Sequence, residues 1–163
     1  RCPSAPEAHA RSFGPESHHM LSQTAEYALR AVVFLAETSP ALRTNQQIAD
    51  GTQVPSSYLS KVLQGLQRAG VVLTLRGKGG GSRLTRDAAD ITALEVVNAV
   101  DPVRRIDSCP LGLPRHAGQL CPLHRKLDDA LATLEASLAS TPMREMLDND
   151  GGDSLCQIAG VDP

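Results

Sequence analysis

Residues 45–86, NQQIADGTQVPSSYLSKVLQGLQRAGVVLTLRGKGGGSRLTR, restrict what this chain can fold into more than any other stretch. They read as two short amphipathic helices around a polar turn, followed by a glycine-rich basic hairpin. The first helix is expected over 45–50, capped by Thr44 or Asn45, burying Ile48 and Ala49 and ending at Gly51. After the turn, Pro55 suits a first helical position, where an N–H would have no intrahelical partner, and Val54 can pack inward as a staple. The second helix places Leu59, Val62, Leu63 and Leu66 on one face at spacings of three and four. Ser56, Ser57, Tyr58, Ser60, Lys61 and Gln64 fall on or near the opposite face. That face carries hydroxyls, an amide and a cation but no carboxylate, which suits phosphates and base edges.

Gly70 fits the left-handed position after a helix, and Val71 to Leu75 are apolar and β-branched enough for a short strand. A flexible turn leads to a second strand around 83–85, making a wing. Its glycines, Gly77 and Gly79 among them, let the backbone approach a phosphodiester or enter a minor groove, while Arg76, Lys78 and Arg83 supply charge. Glycines that merely turn a hairpin beside solvated cations are the alternative. The preceding helix-turn-helix favours binding to double-stranded DNA.

The charge distribution agrees. Residues 41–90 hold seven Lys or Arg against three Asp, a balance of +4, whereas residues 91–163 hold six against eleven, a balance of −5. The net charge of −2 conceals a positive segment where the DNA-reading unit is expected. With two Phe, two Tyr and no Trp, the core must be aliphatic, which argues for helices packed through Leu, Val and Ala. Enzyme classes find no support: the sequence has no nucleophile elbow and no phosphate loop after a strand. No apolar run approaches the roughly 18 residues that span a bilayer, and no secretion signal is evident, so a cytoplasmic protein without membrane contact is expected. There, four cysteines are expected to be thiols, metal ligands or redox sensors rather than structural disulfides.

The fold class expected is therefore mainly α: a winged helix-turn-helix DNA-binding domain with a two-stranded β wing and a long C-terminal dimerisation helix. Residues 1–19 read as a disordered tail ahead of Met20, a candidate native start, with Cys2 incidental. The DNA-binding domain is assigned to 20–101. It opens with a scaffold helix from Ser22 or Thr24 to about 37, with Ala25, Ala28, Leu29, Val32, Val33, Leu35 and Ala36 at helical spacing. It closes with a helix over 91–100, where Thr92 and Glu95 form a capping box. Residues 102–122 form a loop too long for a mere connector and rich in Cys, His and Pro, which points to a sensor segment. Residues 123–147 hold a helix over about 124–139, with Leu123, Leu127, Leu131, Leu134 and Leu138 in a stripe, and a short terminal helix. That stripe suits pairing with its own copy in a homodimer that reads a palindromic site, or packing on its own domain. Residues 148–163 read as a mobile acidic tail in which Cys156 is incidental.

The blocks LSQTAEYALRAVVFLA, VPSSYLSKVLQGLQRAGVV, RGKGGGSRLTR and ITALEVVNAVD occur in the order that resembles the Rrf-two family of bacterial winged-helix repressors, over nearly all of residues 20–147. The resemblance implies a transcriptional repressor. It also implies an iron-sulfur cluster held by three cysteines in the loop before the dimer helix, spaced roughly five residues apart, plus a fourth ligand. Cys109 and Cys121 fall at the first and third of those positions, twelve residues apart, and the middle position is Arg115. His124 completes a C-x-x-H pattern used by some relatives. The fourth ligand implied is His116, or Glu26 from the other subunit, since relatives supply a carboxylate from the first helix. That mixed set points to a 2Fe-2S centre over a cubane. Three alternatives for the loop stay open: a thiol switch between Cys109 and Cys121, a zinc site of Cys109, His116, Cys121 and His124, and a regulator without cofactor. Ser60 stands where some relatives carry a base-reading carboxylate, so their sequence preference does not carry over.

Overall fold

The computed structural model describes residues 20–113 and 118–147. Cys2, Arg115, His116 and Cys156, with the two expected tails, lie outside the described residues.

Helix α1 (Gln23–Glu37) is the scaffold. Ser22 rather than Thr24 caps it, its Oγ accepting from the Ala25 amide at 3.2 Å. Ala25, Ala28, Ala31, Val32, Phe34 and Leu35 are buried, and Leu29, Val33 and Ala36 pack against the same core half-buried. Helices α2 (Asn45–Thr52), α3 (Ser56–Arg68) and α4 (Ala93–Val100) all pack on or around α1. The core is aliphatic: Leu35, Ile48, Leu59, Leu66, Ile91 and Met143 are its largest fully buried side chains.

Helix α2 departs from its expected limits. Thr44 and Gln47 form a reciprocal capping box, which fixes the start. The helix then runs through Gly51 and stops at Gln53, whose φ of 56° is left-handed. Gly51 is therefore no terminator. It lies under the Phe34 ring, where a Cβ would come within 2.2 Å of the ring edge. Pro55 likewise caps α3 from just outside rather than filling its first turn, while Val54 is buried as expected. Gly70, at φ +75°, closes α3 in the left-handed region.

Strands β1 (Val72–Leu75) and β2 (Gly81–Leu84) pair antiparallel, Val72 opposite Leu84 and Leu75 opposite Gly81. The second strand begins two residues before the expected Arg83, because the turn tightens through Gly77 at φ +101° and Gly79 at φ +80°, with the Gly80 amide donating to Gly77 O at 2.9 Å. Arg43 adds an isolated antiparallel bridge to Ser82, its amide and carbonyl both bonded there. The wing is thus tied, through β2 near its turn, to the segment before α2.

Helix α4 carries the expected box: the Thr92 amide donates to Glu95 Oε2 and the Glu95 amide to Thr92 Oγ1. After an extended loop, α5 (Pro122–Ala139) begins two residues earlier than expected, with Cys121 as N-cap and Pro122 in its first turn. No residue of α5 is buried, and Leu123 and Leu127 are 59% and 45% exposed. The chain then returns to the core. The Ala93 amide donates to Thr141 O, the Met143 amide to Ile91 O, and Met143 is fully buried at the start of a 3-10 turn over Met143–Met146.

Candidate nucleic-acid interface and thiol–imidazole site

Two sets of side chains stand out. The first is the outer face of α3 with the wing. Ser56, Ser57, Tyr58, Ser60, Lys61, Gln64, Arg76, Gly77, Lys78, Gly79 and Arg83 are all exposed, as a surface meant for a duplex requires. Leu59, Val62, Leu63 and Leu66 hold the inner face of α3 in the core, so the outer face has one fixed aim.

Some of these side chains are already engaged. Tyr58 OH lies 2.9 Å from Thr24 Oγ1, and its ring meets Tyr27 edge-on at 5.5 Å, so it fastens α3 to α1. Asn45 Nδ2 donates to Ser60 Oγ at 2.9 Å and to Ser56 O at 3.4 Å, while Ser60 Oγ donates to Ser56 O. Those bonds orient α2 against the N-terminal turn of α3. The sequence pattern gave no sign of Asn45 in this role, because a helix-start residue has no periodic signature of its partner. Arg43 has no sequence signature either: its backbone pairs with the wing, and its Nε is buried with no hydrogen-bond partner among the described residues.

The second set is where the loop meets the start of α5. Cys109, Cys121 and His124 bring their donor atoms within 4.8 Å of one another. His124 Nδ1 lies 3.1 Å from Cys121 Sγ and 3.6 Å from Cys109 Sγ. Cys121 is buried, and the other two are half-buried. The N-cap position explains part of the chemistry, since unsatisfied amides at a helix start favour a thiolate. His124, first through its backbone amide and then through its ring, brings the Cys121 thiol down to about 7, against the opposing effect of burial. Among the described residues this is the one such cluster, and Glu26, in the first turn of α1, is not part of it. The expected trio is thus brought together, and the expected carboxylate is not supplied by the same chain. Two soft sulfur donors and an imidazole suit iron-sulfur or zinc ligation and leave one position to be filled from elsewhere.

A winged helix-turn-helix without enzyme-like machinery among the described residues places the chain in the class of transcriptional regulators. The chain belongs to the Rrf2 family, described as "Iron-dependent Transcriptional regulator", whose family model matches residues 21–149. It is similar to the HTH-type transcriptional regulator NsrR of Bacillus subtilis (strain 168), 33% identical over 132 residues, covering 79% of this chain and 90% of that protein. It also resembles the protein aau3 of Rhizobium meliloti (strain 1021), 36% identical over 104 residues, or 63% of this chain and 64% of that one. Among solved structures, IscR of T. potens superposes with a TM-score of 0.66 at 19% identity, covering 86% of this chain and 97% of the other. CymR of B. subtilis, the global cysteine regulator, gives 0.63 at 20% identity, covering 77% and 94%. At such identities the two structures speak for the fold alone. The family is one of transcriptional regulators, not enzymes, and no described helix is long and apolar enough to cross a membrane.

Proposed function

We propose that this chain acts as a homodimeric repressor of a palindromic operator, with DNA affinity set by an iron-sulfur centre at Cys109, Cys121 and His124. The observation that carries the reading is the convergence of those three donors within 4.8 Å, where the loop after α4 meets the first turn of α5. Glu26 of the partner subunit or His116 would fill the fourth position, and this mixed set favours a 2Fe-2S centre. Bound there, the cluster would supply one-electron redox chemistry. The protein's own part is to hold two thiolates and an imidazole together and to carry their state into α5.

At the DNA, Lys61, Arg76, Lys78 and Arg83 meet phosphates, Gly77 and Gly79 let the wing approach closely, and Ser56, Ser57, Ser60 and Gln64 face base edges. Tyr58 positions α3. The exposed Leu123 and Leu127 of α5, with the half-buried Leu131 and Leu134, pair with their copies and so present two copies of α3 to successive half-sites about 34–36 Å apart, while Leu138, the last of the expected stripe, packs against the chain's own core. Anaerobic purification followed by iron and sulfide analysis and visible absorption tests the cofactor. Iron and sulfide in equal amounts with a visible charge-transfer envelope are expected; colourless, iron-free protein after reconstitution contradicts it.

The depressed Cys121 thiol beside Cys109 also supports a thiol switch, in which an oxidant joins the two sulfurs. Mass analysis of the oxidised chain distinguishes it, since a disulfide removes two hydrogens and needs no iron.

A further inference from the structure

Cys121 and His124 stand on the first turn of α5 and are placed by the helix itself. Cys109 does not share that support, because residues 102–113 contain no helix or strand. Among the described residues, two fastenings hold the chain that leads to it. The Val103 amide donates to Asn98 Oδ1 at 3.0 Å. Then Asp128 takes three hydrogen bonds: Arg105 Nε to Oδ1 at 2.7 Å, Arg105 Nη2 to Oδ2 at 2.6 Å, and the Ile106 amide to Oδ1 at 2.9 Å.

Asp128 lies four residues beyond His124 on α5, one turn along the same face. Its side chain is 16% exposed, against 46% for Arg105. A bidentate pair reinforced by a backbone amide has a fixed geometry that a solvated ion pair lacks. Arg105 and the Ile106 amide together hold the Asp128 carboxyl down to about 2. The clamp therefore persists wherever the protein is folded near neutrality.

We propose that Asp128 is the positioning residue of the thiol–imidazole site: by clamping Arg105 and Ile106 it sets the loop so that Cys109 faces Cys121 and His124. The inference rests on the reading of those three residues as a ligand or thiol-switch site, and adds the residue that preorganises it. Asp128 touches neither sulfur nor ring in this role. It acts through the two residues, Asp107 and Ser108, that separate Ile106 from Cys109, by limiting the volume the loop sulfur can sample.

The test uses the full chain in a Cys2→Ser, Cys156→Ser background, kept anaerobic and titrated with Co²⁺ while thiolate-to-cobalt absorption is recorded. Asp128→Asn, which keeps the size and an acceptor for Ile106 but loses the ion pair, is expected to weaken Co²⁺ binding by about tenfold or more. A glutathione equilibrium gives a second readout: as Cys109 and Cys121 lose two hydrogens to form their disulfide, one oxidised glutathione is reduced to two thiols. The constant for that exchange is expected to fall in Asp128→Asn and to recover in part in Asp128→Glu. The thermal midpoint of the apo protein and its duplex affinity are expected to match the parent. Unchanged Co²⁺ binding and exchange in Asp128→Asn overturn the proposal. So does a loss accompanied by an equal fall in apo stability and duplex affinity, which marks a general structural role. If the parent binds no Co²⁺, the metal reading fails, and the glutathione constant still decides whether the clamp positions Cys109.

Discussion

Gly51 sits within α2 with its Cα against the Phe34 ring, and the opposing energies at this residue can be compared. Replacing a mid-helix glycine by alanine ordinarily gains up to about 1 kcal/mol from backbone entropy. Here the new methyl meets a core ring at 2.2 Å, and overpacking of that kind costs about 1–3 kcal/mol. Because Phe34 is only 7% exposed, the ring cannot swing out to solvent at little cost. The clash wins, so Gly51→Ala is expected to lower the urea midpoint of unfolding despite its better helix propensity. A raised midpoint contradicts that packing. The sequence shows glycine at this position plainly. Whether it ends a helix or admits a ring from another depends on Phe34, and no local pattern states which.

At the scale of elements, what was legible followed from local rules. The α3 stripe of Leu59, Val62, Leu63 and Leu66, the Thr92–Glu95 box and the left-handed Gly70 each depend on neighbours three to five residues away, and each lies where expected. The trio of Cys109, Cys121 and His124 was legible through family spacing, and the structure brings it together. The bonds that position these elements were not legible: Asn45 to Ser60, Thr24 to Tyr58, Arg43 to Ser82 and Arg105 to Asp128 join residues 15 to 39 positions apart. Such pairs have no periodicity. The proposed division of labour between α3 and the wing yields its own prediction. Lys61→Ala and Arg76→Ala each remove one phosphate contact, so each is expected to weaken duplex binding for all sequences and reduce the salt slope by about 0.9. Fluorescence anisotropy over a range of salt concentrations measures both. An unchanged slope in either variant removes that residue from the interface.

For the whole molecule, α5 matters because both its ends are fastened while one face is bare. Its first turn holds Cys121 and His124, and the segment after its last turn pairs with Ile91 and Ala93 and buries Met143 in the core. Arg144, in that same segment, reaches Asp87 just beyond the wing at 3.1 Å. A shift at the N-terminal end of α5 thus has a packed route to the winged helix-turn-helix, as the proposed sensing requires. The exposed Leu123 and Leu127 supply the other requirement of the proposed dimer, a seam for a second copy. Placing a charge there should separate the copies: Leu127→Glu is expected to sediment as a monomer where the parent sediments as a dimer, with circular dichroism unchanged. A parent that sediments as a monomer at micromolar concentration contradicts the seam.

The central claim, that the thiol–imidazole site controls the DNA-reading head, is met most directly by one affinity measurement. A palindromic duplex is first recovered by selection from a random pool with anaerobically prepared protein. Its affinity for the chain is then measured before and after removal of the metal centre by a chelator. The account predicts an affinity change of about fivefold or more on chelation, within the range of ordinary allosteric coupling, and no change in Cys121→Ser. Equal affinities before and after chelation of iron-loaded protein would contradict it.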